Sequence, residues 1–431
     1  GYGPNGVLAP VTLSGGGTLP ANVPTVTGFP PDTLTTPFVP PAQMTVAGRT
    51  WDLAIGAQIS VNIQRFGVVV SGHTEAEPSQ AVMEANLAGF QDAINKASEL
   101  GFCIRLPAGR IYIYGTLMLL IGVSIRGESK FSSQVHQRML PTSLSQSWVK
   151  TFAAPPVTGA RQGGNGRNIL SDFTIDGGWN KLDFIGATGG NFNVDMSRMV
   201  GHAVEIVTSS SGPMWSAVRQ ENAASDAHAR FVNMNIVNVP GVGLSWEGRG
   251  ENFAIGCEFS SCAVNAIKDG AADCWILDCT GAVIGDCGVE VTGSGGNLRI
   301  GNTKMWYCGM ARRGEVVGAG YFLSAAGLKN MCFAGATTQD TWGPGFVLRG
   351  EGAIYISGQV DEPGGGRVTQ GGLGYTGART YPRSAIRLEN VQNAHLDITV
   401  SGGNLNGAAN RPGFVHISHT DANNNYVNII P

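Results

Sequence analysis

Charge is scarce in this chain. Asp, Glu, Lys and Arg make up 14% of its 431 residues, and the formal net charge is −3. That balance gives no electrostatic case for nucleic acid or an anionic membrane surface as a partner. Long apolar runs are missing too, so no stretch has the length of a membrane span, and no charged-then-apolar secretory leader opens the sequence. There is no GxSxG elbow. The many GxG strings lack the strand–turn–helix setting of a phosphate cradle, so no cofactor is expected. No Asp cluster has calcium-ligand spacing. Among the eight cysteines no C-x2-C clip occurs, and the C-x4-C pairs Cys257/Cys262 and Cys274/Cys279 lie inside apolar runs. They read as thiols stacked in a core rather than as a zinc site, and no metal is expected.

Glycine is abundant, with 63 residues, and 42% of the chain is hydrophobic. Disorder is excluded by that apolar content. Short apolar runs between Gly, Asn, Ser and Thr imply many turns and little helix. Residues 1–66 read as a Pro/Gly-rich extended segment or neck. Residues 67–431 read as one all-β domain.

Within that domain the stretch Ala88 to Glu128 changes period. Phe90, Ala93, Ile94, Ala97 and Leu100 fall at helical spacing, which predicts an amphipathic helix near 79–100 with Gly101 as a left-handed cap. Short β-rich runs follow, beginning at Cys103 and punctuated by Pro107-Ala108-Gly109, Gly115 and Gly122. Lys130 to Arg167 shows poor periodicity and reads as a long, irregular connection. Further on, strand-like runs begin at Phe231, Phe253 and Trp275, each 22 residues after the last, and at Leu298, 23 residues later. A period in the low twenties with several strands per repeat is what one coil of a β-solenoid requires.

Residues from about 60 to 431 resemble the pectin-lyase-like superfamily, as found in phage tailspikes and polysaccharide depolymerases. The carrying features are the helical lid, the Pro-Ala-Gly turn, the repeated rungs and scattered aromatics. The resemblance implies a single-stranded right-handed parallel β-helix of about ten rungs with an N-terminal capping helix. It further implies action on a glycan, homotrimeric assembly and an extracellular or virion-associated location. The Arg65-Phe66-Gly67 ending resembles the strand before that cap helix, although VVVSGHTEAEPSQ replaces the Asp-rich turn usual in such families.

Strict alternation in FAIGCEF and WILDCT places Phe253, Ile255, Cys257, Phe259, Trp275, Leu277 and Cys279 inside, and Glu258 and Asp278 outside. As a diagonal pair on adjacent strands their carboxylates would stand ~7–8 Å apart. That suits an inverting glycoside hydrolase, which needs ~6.5–9.5 Å. Two solvated acids on a sheet face fit the same pattern. A second constellation, GDCGVEVTGSGG, holds Asp286 and Glu290. It resembles the ECG…VELTG stretch of the inulin fructotransferases, which are trimeric β-helices. There the matching catalytic residues would be Glu290 and Asp278, though one residue is missing between Cys and Glu. Acids binding turn amides explain it equally well. Glu247 and Asp269, 22 apart and each followed by Gly, fit stacked acids flanking a groove or two corner residues. Asp176 reads as a turn residue. For a lyase, His202, His228, Arg230, Lys268 and Arg299 offer bases or cations. Exposed indoles suit sugar stacking, so Trp246, Trp306, Tyr307 and Trp342, with Arg299, are candidate substrate-binding residues, alongside Trp179 and Trp215. Trp275 is assigned to the core. The expected function is cleavage of a bacterial capsular or exopolysaccharide by a carboxylate pair. The alternatives are a fructotransferase-type transglycosidase, a polysaccharide lyase or a non-catalytic glycan-binding β-helix.

Overall fold

The computed structural model describes residues 43–46, 49–52, 60–139, 150–154, 168–178, 216–220, 229–246, 251–271, 273–293, 296–309, 317–325, 330–363, 384–401, 415–418 and 426–430. Two compact units divide the chain, 1–60 and 61–431. In the first, Gln43–Val46 pairs antiparallel with Arg49–Asp52.

The second unit opens with a short 3-10 helix, Ile63–Phe66, and then helix α1, Gln80–Leu100. Gly101 closes α1 in the left-handed conformation (φ 75°), its N–H donating to Ala97 O. A glycine adopts that conformation without steric penalty. The buried stripe of α1 holds Met83, Phe90, Ala93, Ile94 and Ala97, which matches the expected spacing. It also holds Asn86, fully buried at the same face. The Asn86 amide accepts from Val69 N–H at 2.7 Å and donates to Val69 O at 3.2 Å and Tyr112 O at 3.0 Å. One polar side chain thus fastens the lid to the 68–70 segment and to the first coil, while Phe90 meets Phe152 edge-on at 5.9 Å.

After α1 the chain winds as a right-handed parallel β-helix. Among the described residues twenty-seven strands form one continuous sheet system. In each early coil a strand pairs with the strand three earlier, so three parallel sheets run along the axis. The first sheet includes Phe253–Ile255, Trp275–Leu277 and Arg299–Gly301. The second includes Glu258–Cys262, Thr280–Ile284 and Lys304–Cys308. The third includes Ile267–Asp269, Val289–Gly293 and Tyr321–Ala325. Met331–Gln339 runs from the first sheet into the second, and the 16-residue strands Phe346–Asp361 and Ile386–Ser401 run from the third sheet through the first into the second. The stretch read as irregular contains two regular strands, Ser133–Gln137 and Lys150–Ala154. Their polar content hid the pattern.

The first sheet reverses the expected alternation. Ala254 and Ile276 are fully buried, aligned between Phe231 and Ile300 in one core column. Phe253, Ile255, Trp275 and Leu277 are half-buried and face out. The cause is the corner. Asn233, Gly256, Asp278 and Asn302 each take positive φ, 51°, 63°, 53° and 46°, which breaks the two-residue alternation. Cys257 and Cys279 beyond it still point inward and are buried. Trp275 is therefore not a core residue. It stacks on Phe253 at 4.6 Å and 7° on the outer face, with the Arg230 guanidinium 5.0 Å from the Phe253 ring centre.

Candidate functional site

The corner separates Glu258 from Asp278. Asp278 sits in the left-handed corner position and accepts from the Asn302 amide at 2.9 Å, as Asp172 accepts from Asn233 at 2.9 Å in an earlier coil. Glu258 begins a strand of the second sheet, in register with Thr280, and is ion-paired with Lys130. The two acids do not share a sheet face as expected, because the parity change at Gly256 carries Glu258 onto the next sheet.

Asp269 does not flank a groove. It is in register with Trp246 rather than Glu247, faces the core and is fully buried. Its Oδ1 accepts from Ala271 N–H at 2.9 Å, and its Oδ2 has no hydrogen-bond partner. Burial pushes this carboxyl up to about 7, against hydrogen bonds from Ala271 N–H and the Cys274 thiol. Trp246 and Trp342 are also core residues, 1% and 4% exposed, and present no indole face to solvent. Trp306 and Tyr307 are half-buried on the second-sheet strand Lys304–Cys308, and the Lys304 ammonium lies 5.2 Å from the Trp306 ring centre. Arg299 is half-buried on the first sheet, its guanidinium donating to Leu298 O and Asn330 O. Glu247, His202, His228, Trp179 and Trp215 lie outside the described residues.

Asp286 and Glu290 form a different kind of site. Asp286 sits in the turn before the strand Val289–Gly293, and Glu290 is the outward residue between buried Val289 and Val291. Gly318 N–H donates to Asp286 Oδ1 at 2.8 Å, and the Cys287 thiol donates to the same oxygen at 3.3 Å. Burial and the neighbouring Glu290 charge push the Asp286 carboxyl up to about 6, although the Gly318 N–H works in the other direction. Glu290 Oε2 accepts from the Asn265 amide, and the Lys268 ammonium lies 3.9 Å from the same oxygen. Asn265 is fully buried, and its Oδ1 accepts from Cys287 N–H at 3.0 Å, so one side chain ties Glu290 to the turn that carries Asp286. Lys268 occupies the outward position one coil earlier, in register with Glu290. In the next coil Phe322 is in register with Glu290 and packs with Cys287, Ala319 and Val347. This small apolar cluster on the outer face flanks the carboxylates and lowers the local dielectric.

One further acid, Asp176, meets a histidine on the second sheet, a pairing unforeseen from sequence. His136 Nδ1 lies 3.2 Å from Asp176 Oδ2, and its Nε2 lies 2.9 Å from Gln134 Oε1. Burial opposes ionisation of Asp176, but hydrogen bonding and charge from His136 hold its carboxyl below the ordinary value. Both imidazole nitrogens are engaged, which makes this a polar ladder rather than an acid–base centre. Asp176 also accepts from Gly178 N–H at 2.9 Å, the expected turn contact. Among the described residues no group of three or more His, Cys, Asp or Glu converges as metal ligands do, and no helix is long and apolar enough to cross a membrane.

With this geometry in view, solved structures supply the comparison. Full-length tailspike protein 2 of an Escherichia coli O157:H7 bacteriophage aligns with 90% of this chain at 14% identity and a TM-score of 0.54. The enzymatically active domain of a bacteriophage tailspike protein 2 aligns with 88% at 14% identity and a TM-score of 0.52. The chain has the fold of the phage-tailspike parallel β-helix. It spans 44% and 49% of those two chains. A mannuronan C-5 epimerase A-module from Azotobacter vinelandii aligns with 86% of this chain and 99% of its own, at 10% identity and a TM-score of 0.46. No family profile and no curated protein matches the sequence.

Proposed function

We propose that the protein is a tailspike-like enzyme that hydrolyses a bacterial capsular or exopolysaccharide, with Asp286 as general acid and Glu290 as general base. The observation that carries this reading is a carboxyl raised to about 6 beside a second carboxylate held by an amide and an ammonium. Glycoside hydrolysis needs such a division of labour. One acid keeps its proton to deliver it to the leaving oxygen, while the other stays charged and takes a proton from water. Asp286 acquires its proton affinity from burial and from Glu290. Lys268 and Asn265 orient the Glu290 carboxylate. Neither of the other acid pairs offers this asymmetry on one face, since Glu258 and Asp278 lie on different elements and Asp269 is inside the core. The tailspike fold supports, as parts of the same proposal, homotrimeric assembly and a place on a virion.

Reducing-end release from a panel of bacterial capsular and exopolysaccharides tests the reading. At least one glycan is cleaved, and Asp286→Asn and Glu290→Gln each lower the rate by roughly 10²-fold or more. Glu258→Gln and Asp278→Asn leave it within a few-fold. The reverse pattern would return the chemistry to Glu258 and Asp278. Release of an unsaturated uronate, seen as new ultraviolet absorbance, would make the enzyme a lyase.

A further inference from the structure

The outer face of the first sheet carries an aromatic ladder with a break in it. On one side of the break Trp275 stacks on Phe253 at 4.6 Å and 7°, so its other ring face points along the axis toward the next coil. On the far side Tyr355 meets His395 at 5.2 Å, and His395 meets Tyr426 at 4.6 Å, each in register with the next. Between Trp275 and Tyr355 the same column holds Arg299 and Cys332. Arg299 leaves the column sideways, its guanidinium donating to Leu298 O and Asn330 O at the entry edge of the sheet. Beside them the neighbouring outward column contributes Gly301 and Ala334, which have almost no side chain.

We propose that this break is a sugar-binding notch, an accessory glycan site on a different sheet from Glu290, in which a sugar ring stacks on the free face of Trp275. The inference does not depend on Asp286 or Glu290. The width fits. Trp275 and Tyr355 lie three strands apart, ~14 Å along the axis. At the 4.6 Å spacing of the ladder, two ring-sized groups complete the stack. The notch is also open, since Cys332 is half-buried, Ala334 is exposed and Tyr355 is 42% exposed. A ladder that only stiffened the sheet would run through without a break, because aromatic pairs on adjacent strands support each other. Here it stops where the floor is bare, and the rings at its two ends become walls. A pyranose suits such walls, having an apolar ring face and a polar rim. The face packs on the indole while the rim stays solvated. Of the Arg299 donors only Nη1 has a partner among the described residues. Nε and Nη2 are therefore placed at the edge of the notch to donate to hydroxyls on that rim.

Cys332 reports on the notch, because it lies on the floor while the other seven cysteines are buried. The full chain carrying Glu290→Gln, so that polymers stay intact, is treated with N-ethylmaleimide, and modified cysteines are located by peptide mass. Cys332 should react well ahead of the rest. Dextran and a panel of bacterial capsular and exopolysaccharides are then added one at a time. Protection by at least one polymer is expected, about tenfold at ten times its Kd by mass action. Trp275→Ala should weaken binding of that polymer about tenfold or more, as loss of an aromatic anchor does. Tyr355→Ala should weaken it about threefold to tenfold. Should Trp275→Ala unfold, Ala334→Tyr carries the test, since it fills the notch from an exposed position and should abolish retardation in gels containing the polymer. Phe131→Ala, at an exposed aromatic elsewhere, should leave binding unchanged. An unreactive Cys332, protection by no polymer, or binding that survives Trp275→Ala and Ala334→Tyr overturns the notch. So does protection that appears without glycan as protein concentration rises, which would mean that a second copy fills it. Protection with no cleavage by the parent protein would leave the notch standing and sink the hydrolase. Cleavage that needs Asp286 and Glu290, with Cys332 protected by no polymer, would do the opposite.

Discussion

Asp269 is a carboxylic acid on the inside of the coil, and its substitution by Asn measures what that placement does to stability. Ordinary aqueous carboxyls of this type titrate near 3.8, and burial raises Asp269 to about 7. Such a rise corresponds to about 4 kcal/mol between the two protonation states. Its sign follows from proton binding. Below the unfolded-state value both states hold the proton, and the native state carries no charge penalty. Between about 4 and about 7 the unfolded chain loses its proton while the native core keeps it, so stability falls as pH rises. Above about 7 the native state must ionise as well, and the full penalty persists. The charge would then sit beside an Oδ2 that has no hydrogen-bond partner. Asp269→Asn keeps the shape and the contact with Ala271 N–H but cannot ionise. Urea unfolding of both proteins at pH 4.5, 6 and 8 gives the difference in stability. Asp286 is present in both proteins and cancels in the subtraction. About 1 kcal/mol of that penalty is already present at pH 4.5, so the parent should lose about 3 kcal/mol relative to the variant across that range, with most of the change between pH 4.5 and 7. A difference that stays constant within about 1 kcal/mol would refute a neutral Asp269 in the core.

Three other outcomes follow from the same contacts. Because Asp286 must be protonated to act as the acid and its carboxyl is raised to about 6, kcat/KM should fall on the alkaline side with an apparent pKa near 6; a profile flat from pH 5 to 8 removes Asp286 from that role. Asn265→Ala frees Glu290 from the Asp286 turn, and kcat should drop about tenfold to a hundredfold with KM little changed and the alkaline limb displaced, whereas a residue that only packs would move neither limb nor kcat. Asn86→Ala leaves Val69 N–H, Val69 O and Tyr112 O without their buried partner, so the lid should loosen by about 3 kcal/mol, read as faster hydrogen exchange in residues 61–120 while the middle coils stay protected.

The parts of this structure that were legible in the sequence are those set by local rules. The helix shows in the spacing of Phe90, Ala93, Ile94 and Ala97, and its end in Gly101. The coil shows in the 22-residue returns of Phe231, Phe253 and Trp275. What misled was parity. An alternation read through Phe253, Ile255 and Cys257 assumes an unbroken strand, and Gly256 breaks it with a φ of 63°. The correction was present in the columns rather than the rows. The column through Phe253 and Trp275 also contains Arg230, Arg299 and His395. A packed core cannot hold such a set unpaired. The neighbouring column through Phe231, Ala254, Ile276 and Ile300 is apolar throughout. Once the column decides which way each strand faces, Glu258 and Asp278 fall on different elements. Glu290 is left on the outer face of the third sheet, with Asp286 in the turn that leads into its strand. Their chemistry depends on Asn265, a single buried amide 25 residues from Glu290 that no local pattern singles out, because what matters about it is its neighbour one coil away. In a solenoid the local rules fix the coil, while the chemistry lies along the axis, between residues one period apart.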